Sequence, residues 1–119
     1  MKKYNYENLE VYKLAVRLVV EIYNLTKKFP KEEIFGLISQ LRRAAVSVLL
    51  NILEGSSRNS KKDFASFIDR SIGSTVETRA GLQVAVELKF VTEKEIVGAL
   101  ELIDELYFKL QKLKKYLRS

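Results

Sequence analysis

Residues 35–58, FGLISQLRRAAVSVLLNILEGSSR, determine the fold, because their pattern predicts a helix with two apolar faces. At about 100° per residue, positions three and four apart form a first apolar stripe, which comprises Ile38, Leu41, Ala45, Val48 and Ile52. A second apolar stripe lies on a different face of the helix and comprises Phe35, Val46, Leu50 and Leu53. One stripe is enough to join the helix to its own bundle, and a chain of 119 residues has little to spare for covering another. We therefore expect another copy of the chain to cover the second stripe.

A polar line runs between the two stripes. Its residues, again three or four apart, are Gln40, Arg43, Ser47, Asn51, Glu54 and Arg58. Arg43 and Glu54 are too far apart along the helix to meet, so each needs a partner elsewhere if it is buried. We interpret the line, extended to Arg70 and Glu77 of the following helix, as a structural network between helices or between subunits. Catalysis is the weaker interpretation, because no nucleophile or tuned base accompanies these residues.

The rest of the chain also reads as helical, and the sequence predicts helices near 9–28, 35–57, 61–88 and 93–117 with no strand. Pro30 ends the first helix, whose heptad-like seam comprises Val11, Ala15, Leu18, Ile22, Leu25 and Phe29. Ser60 is the predicted N-cap of the third helix, and Thr92 with Glu95 forms a capping box before the fourth. Four amphipathic helices joined by short connections predict an all-α, antiparallel up-down-up-down four-helix bundle.

The third helix has an unusual middle, with small or hydroxylated residues between Ser71 and Gly81. Two interpretations remain open. The favoured one is that small side chains let neighbouring helices approach closely. The other is a polar contact line facing the second helix, with Arg70, Glu77 and Arg79 as charge partners.

Composition indicates a single globular domain over residues 1–119, since 47% of the residues are hydrophobic and 30% are charged. No apolar run approaches the roughly 20 residues that cross a bilayer, and the N-terminal MKKYNYENLEVYK lacks the apolar core of a signal peptide. We therefore expect a cytoplasmic protein. The chain contains no cysteine and no histidine, which removes disulfides, thiol nucleophiles and the usual zinc ligands. We expect no cofactor, no metal and no catalytic activity, with a carboxylate-metal enzyme as a distant third alternative.

The net charge of +6 is predicted to concentrate at one end of the bundle. That end collects the N-terminus, the turn between the second and third helices, and the C-terminus, with nine cations against Glu7, Glu54 and Asp63. The charges at the opposite end cancel. Such polarity favours a polyanionic partner. The predicted nucleic-acid-binding residues are Arg58, Lys61, Lys62, Lys112, Lys114, Lys115 and Arg118, next to Lys2 and Lys3.

Three segments carry a family resemblance: NLEVYKLA (8–15), KKFPKEEIFGLISQLRRAAVSVLLNILEGSSR (27–58) and FASFIDRSIGSTVETRAGLQVAVEL (64–88). They resemble the proteins encoded in intervening sequences of bacterial 23S ribosomal RNA genes. The resemblance implies a left-handed four-helix bundle assembled as a ring of five subunits. It also implies a distant similarity to accessory proteins of diversity-generating retroelements, basic rings that bind nucleic acid and a reverse transcriptase. The family usually has a proline soon after the position of Ser47, whereas this chain has Val48-Leu49-Leu50. The second helix is therefore expected to be straighter.

Two functions follow from these observations. The leading one is a non-catalytic oligomeric scaffold that binds RNA, or single-stranded DNA, through the basic end without sequence specificity. The alternative is a protein-interaction adaptor, for example for a reverse transcriptase, whose basic end meets an acidic partner without contacting RNA. Neither function involves a membrane.

Overall fold

Four α-helices and a short 3-10 helix make up the computed structural model, which describes residues 9–119. The helices are α1 (Glu10–Thr26), α2 (Leu37–Ser56), α3 (Lys61–Glu87) and α4 (Val97–Arg118), and the 3-10 helix covers Lys31–Phe35. No strand occurs within these residues. The predicted four-helix, all-α class is confirmed.

Two helices begin later than predicted. Gly36, with a ψ of −116°, lies outside the helical region, so α2 begins at Leu37 and Phe35 belongs to the 3-10 helix instead. The capping box of Thr92 and Glu95 does form, with the Thr92 backbone N–H donating to Glu95 Oε1 (2.9 Å) and the Glu95 N–H to Thr92 Oγ1 (3.2 Å). It closes a separate turn over residues 93–96, and α4 begins only at Val97.

The core lies between the four helices. The backbone of α1 lies close to α2 and α4, that of α3 lies close to the same two helices, and no Cα atoms of the diagonal pairs approach within 8 Å. The first apolar stripe of α2 and the predicted seam of α1 are both buried throughout, and Leu18, Ile22, Val48 and Ile52 have no exposed surface at all. The molecule measures 43 × 24 × 20 Å, and its long axis matches the roughly 40 Å expected for a 27-residue helix such as α3.

Small residues let α2 and α3 approach closely. A Cβ atom on Gly81 would lie 2.6 Å from Leu41 Cδ2, and one on Gly55 would lie 2.8 Å from Phe67 Cβ. The buried Ser71 hydroxyl donates to the Val48 carbonyl across the helix pair (2.6 Å). The hydroxyls of Thr75 and Thr78 donate to carbonyls four residues earlier in α3. The favoured interpretation of the unusual middle of α3, close helix approach, agrees with this geometry.

Helix α3 ends in a Schellman motif built on a lysine. Lys89 has a φ of 64°, and its backbone N–H donates to the Val86 carbonyl (2.9 Å) while the Phe90 N–H donates to the Ala85 carbonyl (2.9 Å). The chain then turns so that the Phe90 ring packs at 5.4 Å from the Phe29 ring. The α3–α4 connection is thereby anchored beside the end of α1.

Ion pairs connect both ends of α1 to the α4 segment. Lys109 Nζ contacts Glu10 Oε2 (2.6 Å) at the start of α1, and Lys28 Nζ contacts Glu95 Oε2 (2.9 Å) just before α4.

No helix in residues 9–119 is long and apolar enough to cross a membrane.

Candidate nucleic-acid interface

The turn between α2 and α3 meets the C-terminal part of α4. Lys61 Nζ lies 4.9 Å from the ring centroid of Tyr116, and Lys114 Nζ lies 2.7 Å from Asp69 Oδ1. These two contacts bring the predicted nucleic-acid-binding residues of the turn and of α4 to one end of the molecule. We call this the basic end, and it comprises Arg58, Lys61, Lys62, Lys112, Lys114, Lys115 and Arg118.

Three carboxylates of α2 and α3 offset these seven cations in part: Glu54, Asp63 and Asp69. Glu54 Oε2 lies 3.5 Å from Arg58 Nη2, and Asp69 is held by Lys114. The hydrogen bond that Lys114 donates lowers the pKa of Asp69, and the positive charges of Lys114 and Arg118 act in the same direction. The other five cations make no ion pair with any residue of 9–119. They are Lys61, Lys62, Lys112, Lys115 and Arg118.

Helix α4 also presents a basic groove and a line of aromatic rings. An open groove of about 420 Å³ is lined by Gln111, Lys114, Lys115, Arg118 and Ser119. On another face of α4, Phe108 and Tyr116 are each 61% exposed. Lys112 Nζ lies 5.5 Å from the Phe108 ring centroid. Exposed rings between cations are surfaces on which unpaired bases stack. These rings were not predicted as part of the site, although the spacing of four in Phe108, Lys112 and Tyr116 marks one helix face.

A third ring, that of Phe67 in α3, lies between the two helices of the turn. The guanidinium carbons of Arg58 and Arg70 are both 4.6 Å from its centroid. Arg70 therefore lies close to the basic end, although the sequence analysis assigned it to the polar line of α2.

The polar line itself is divided in the structure. The Asn51 amide donates to the Ser47 carbonyl (2.8 Å) and Oγ (3.0 Å), and Ser47 Oγ lies 2.9 Å from Ser74 Oγ of α3. Gln40, Arg43 and Glu77 are exposed and make no side-chain hydrogen bond or ion pair within the described chain. Arg79 pairs with Asp104 of α4 at 2.8 Å and so contributes to a different helix contact.

The second apolar stripe faces away from the core. Phe35 is 94% exposed and Leu50 is 53% exposed, while Val46 and Leu53 are half-buried. Nothing else in residues 9–119 covers Phe35 or Leu50. Their coverage by another copy stays a prediction.

Lys2, Lys3 and Glu7 lie outside the described residues. At the opposite end from the basic end, Lys28 is paired with Glu95. Among residues 9–119, no group of three or more acidic side chains is placed to hold a metal ion.

Helix order, core and basic end together define a small all-α protein whose distinctive surface is cationic. The chain belongs to the family of 23S rRNA-intervening sequence proteins, whose model matches residues 7–112. It is similar in fold to a crystal structure from Bacteroides thetaiotaomicron, described as a protein of unknown function from the S23 ribosomal protein family. The two share 22% sequence identity with a TM-score of 0.81, over 88% of this chain and 98% of the other. A comparison with curated proteins finds no match.

Proposed function

We propose that the protein is a non-catalytic scaffold that binds RNA, or single-stranded DNA, through its basic end and without sequence specificity. The observation that carries this proposal is the meeting of the α2–α3 turn with the end of α4, at the Lys61–Tyr116 and Lys114–Asp69 contacts. Because of it, cations that are up to 60 residues apart in sequence, Arg58 and Arg118, share one surface.

Physical chemistry supports a single-stranded polyanion at this surface. Lysine and arginine side chains release the counterions condensed on phosphates, which gives affinity without reading the base sequence. The exposed rings of Phe108 and Tyr116 offer stacking surfaces, and base–aromatic stacking tolerates any base. The five cations without an ion pair are free to contact phosphates. Asp69 holds Lys114 in place, and its own charge partly offsets the potential there.

The proposed assembly places several basic ends together. We propose that the helices pack up-down-up-down as a left-handed bundle, and that five copies form a cytoplasmic ring held partly by the second apolar stripe. The exposure of Phe35 and Leu50 supports this, since apolar side chains of that size gain from being covered. In a ring of parallel subunits the basic ends lie on one face, and each copy strengthens the potential of the others.

Fluorescence anisotropy of a short labelled RNA, measured across a salt series, tests the proposal. The variant Lys112→Gln, Lys114→Gln, Lys115→Gln, Arg118→Gln should bind more weakly. Because Lys114 is already paired with Asp69, three of the four side chains are available to phosphates, and the slope of log K against log salt should be shallower by about 2. The matched control is Lys27→Gln, Lys28→Gln, Lys31→Gln at the opposite end, which should change binding little. Equal losses in both variants would show diffuse attraction and contradict a site.

A protein-interaction adaptor remains the alternative function, and one observation favours it. An open groove of about 460 Å³ at the α3–α4 connection has an apolar floor of Val86, Ile96, Val97 and Leu100, with Gln83, Glu87 and Glu93 also in its lining, and Val97 is 48% exposed. Apolar grooves of this kind suit a protein segment better than a phosphate backbone. If the parent protein bound no RNA at low salt, the adaptor function would replace the scaffold proposal.

A further inference from the structure

A second cationic site lies at the other end of α2. Arg42 and Arg43 line an open pocket of about 410 Å³ between α1, the 3-10 helix and α2. Its walls also include Tyr23, Ile34, Ile38, Ser39 and Val46. Arg42 lies about 20 Å along the helix axis from the C-terminal end of α2, where the basic end begins. The pocket is therefore separate from the proposed RNA surface.

Arg42 is held in position by α1. Its Nε donates to Thr26 Oγ1 at 2.9 Å, and its guanidinium carbon lies 4.4 Å from the Tyr23 ring centroid. Thr26 has no exposed surface and donates its own hydroxyl proton to the Ile22 carbonyl at 2.7 Å. A buried hydroxyl and an aromatic face thus fix the plane of the guanidinium. The N–H groups on its two Nη atoms remain for another partner.

No counterion accompanies these two arginines. Neither Arg42 nor Arg43 forms an ion pair with a residue of 9–119, and no carboxylate lines the pocket. The nearby Glu33 uses Oε1 to accept the Leu37 backbone N–H at 3.0 Å, at the start of α2. The guanidinium of Arg42 is held in place and that of Arg43 lies beside it on the same helix. Neither positive charge is neutralised by a carboxylate of residues 9–119. Such a pair suits an oxyanion that carries two negative charges.

We propose that this pocket binds a small ligand with a phosphate monoester group and an apolar or aromatic body. A phosphate monoester carries about −1.5 to −2 charges near neutral pH, which matches the two guanidiniums better than a single carboxylate does. Arg42 and Arg43 hold the phosphate oxygens, and Ser39 is placed one turn earlier on α2 to add a hydroxyl. Ile34, Ile38 and Val46 contact the body of the ligand. The proposal does not depend on RNA binding at the basic end.

Isothermal titration calorimetry on the full chain tests it with three probes: phenyl phosphate, inorganic phosphate and benzoate. Phenyl phosphate should bind most tightly, because it satisfies both the charge and the apolar walls. Inorganic phosphate should follow, and benzoate should bind most weakly. Benzoate binding as tightly as phenyl phosphate would overturn the assignment to phosphate monoesters.

Substitutions show whether phenyl phosphate binds at this pocket. Arg43→Ala, at an exposed position, should weaken phenyl phosphate binding roughly ten- to a hundred-fold, as expected for a lost charge-assisted contact. Arg42→Lys keeps the positive charge but loses the planar guanidinium that Thr26 and Tyr23 hold, and it should also weaken binding of phenyl phosphate. The matched control, Arg17→Ala on the exposed surface of α1, should leave binding unchanged. Equal binding by Arg43→Ala and Arg17→Ala would refute the site.

Two further outcomes would also overturn the proposal. Loss of phenyl phosphate binding in the fourfold α4 variant, with Arg43→Ala unaffected, would place the probe at the basic end. Val46 belongs both to this pocket and to the predicted subunit interface. Absence of phenyl phosphate binding, together with a reduced light-scattering mass for Arg43→Ala, would instead show that the arginines meet a neighbouring copy.

Discussion

The Ser71 hydroxyl, in the middle of α3, donates a 2.6 Å hydrogen bond to the backbone carbonyl of Val48, in the middle of α2. Both residues are fully buried. The bond links the two helices within the buried interface between them. Both partners are neutral and buried, so the loss of the bond should be measurable in the stability of the whole domain.

Ser71→Ala should lower the free energy of unfolding by about 1 kcal/mol, the usual net contribution of an intramolecular hydrogen bond. Chemical denaturation followed by circular dichroism gives the value. The matched control is Ser66→Ala, an exposed serine of the same helix. Alanine improves helix propensity equally at both positions, so the difference between the two variants isolates the hydrogen bond. Identical stabilities would mean that the bond contributes nothing.

Replacing Leu50 and Leu53 with glutamate should dissociate the proposed oligomer. Each leucine covered at an interface contributes about 1.5–3 kcal/mol, and a buried unpaired carboxylate opposes assembly further. Multi-angle light scattering measures the mass. Leu88→Glu is a suitable control, because Leu88 is as exposed as Leu50, at 53%, but lies at the end of α3. A monomer mass for the parent protein would remove the basis of the proposed ring.

Asp69→Asn should strengthen RNA binding. The substitution removes one of the few carboxylates near the basic end and releases Lys114 from its 2.7 Å ion pair. With one more cation available to phosphates, the slope of log K against log salt should steepen by up to about 0.7. The same anisotropy assay measures this change. Asp104→Asn, which breaks the exposed pair with Arg79, is the control and should leave RNA binding as it is. Weaker binding by Asp69→Asn would show that the placement of Lys114 matters more than its freedom.

Lys89→Gly should stabilise the end of α3. Lys89 is the one non-glycine residue with positive φ among residues 9–119, and the left-handed conformation costs a side-chain-bearing residue about 1–2 kcal/mol. Part of that gain is lost to the greater freedom of glycine in the unfolded chain, which leaves a net gain of about 0.5–1 kcal/mol. Lys94→Gly, in a turn without positive φ, should instead lower the melting temperature or leave it unchanged. Calorimetry on both variants makes the comparison.

Local patterns were sufficient for the helices but insufficient for their partners. The stripe containing Leu41 and Val48 is buried as its spacing predicts, because a period of three and four residues reports directly on one helix face. The N-cap at Ser60 also forms, with the Asp63 N–H donating to Ser60 Oγ at 3.0 Å, since the whole motif lies within four residues. Both signals are contained in the segment that they describe.

Contacts between helices could not be predicted in the same way. The less favoured interpretation of α3 makes Arg79 a charge partner of the polar line of α2, yet Arg79 pairs with Asp104 of α4, because the rotation of α3 is set by packing on both neighbours. The contact of Arg42 with Thr26 crosses 16 residues of chain and depends on how α1 lies against α2. Residue spacing along a single helix contains neither piece of information.

The close approach of α2 and α3 at Gly55 and Gly81 has a consequence for how the molecule opens. At these glycines α3 and α2 pack directly onto each other, whereas α1 and α4 approach each other less closely and, besides the shared core, are joined by pairs such as Lys109–Glu10, whose carboxylate is 68% exposed. Exposed ion pairs contribute little against fluctuation. Amide hydrogen exchange should therefore be slowest in the α2–α3 hairpin and faster where α1 meets α4, so that the terminal helices separate first. The α2–α3 hairpin would then be the part of the domain that opens least often. The cations on α4 would lie in the part that opens more often.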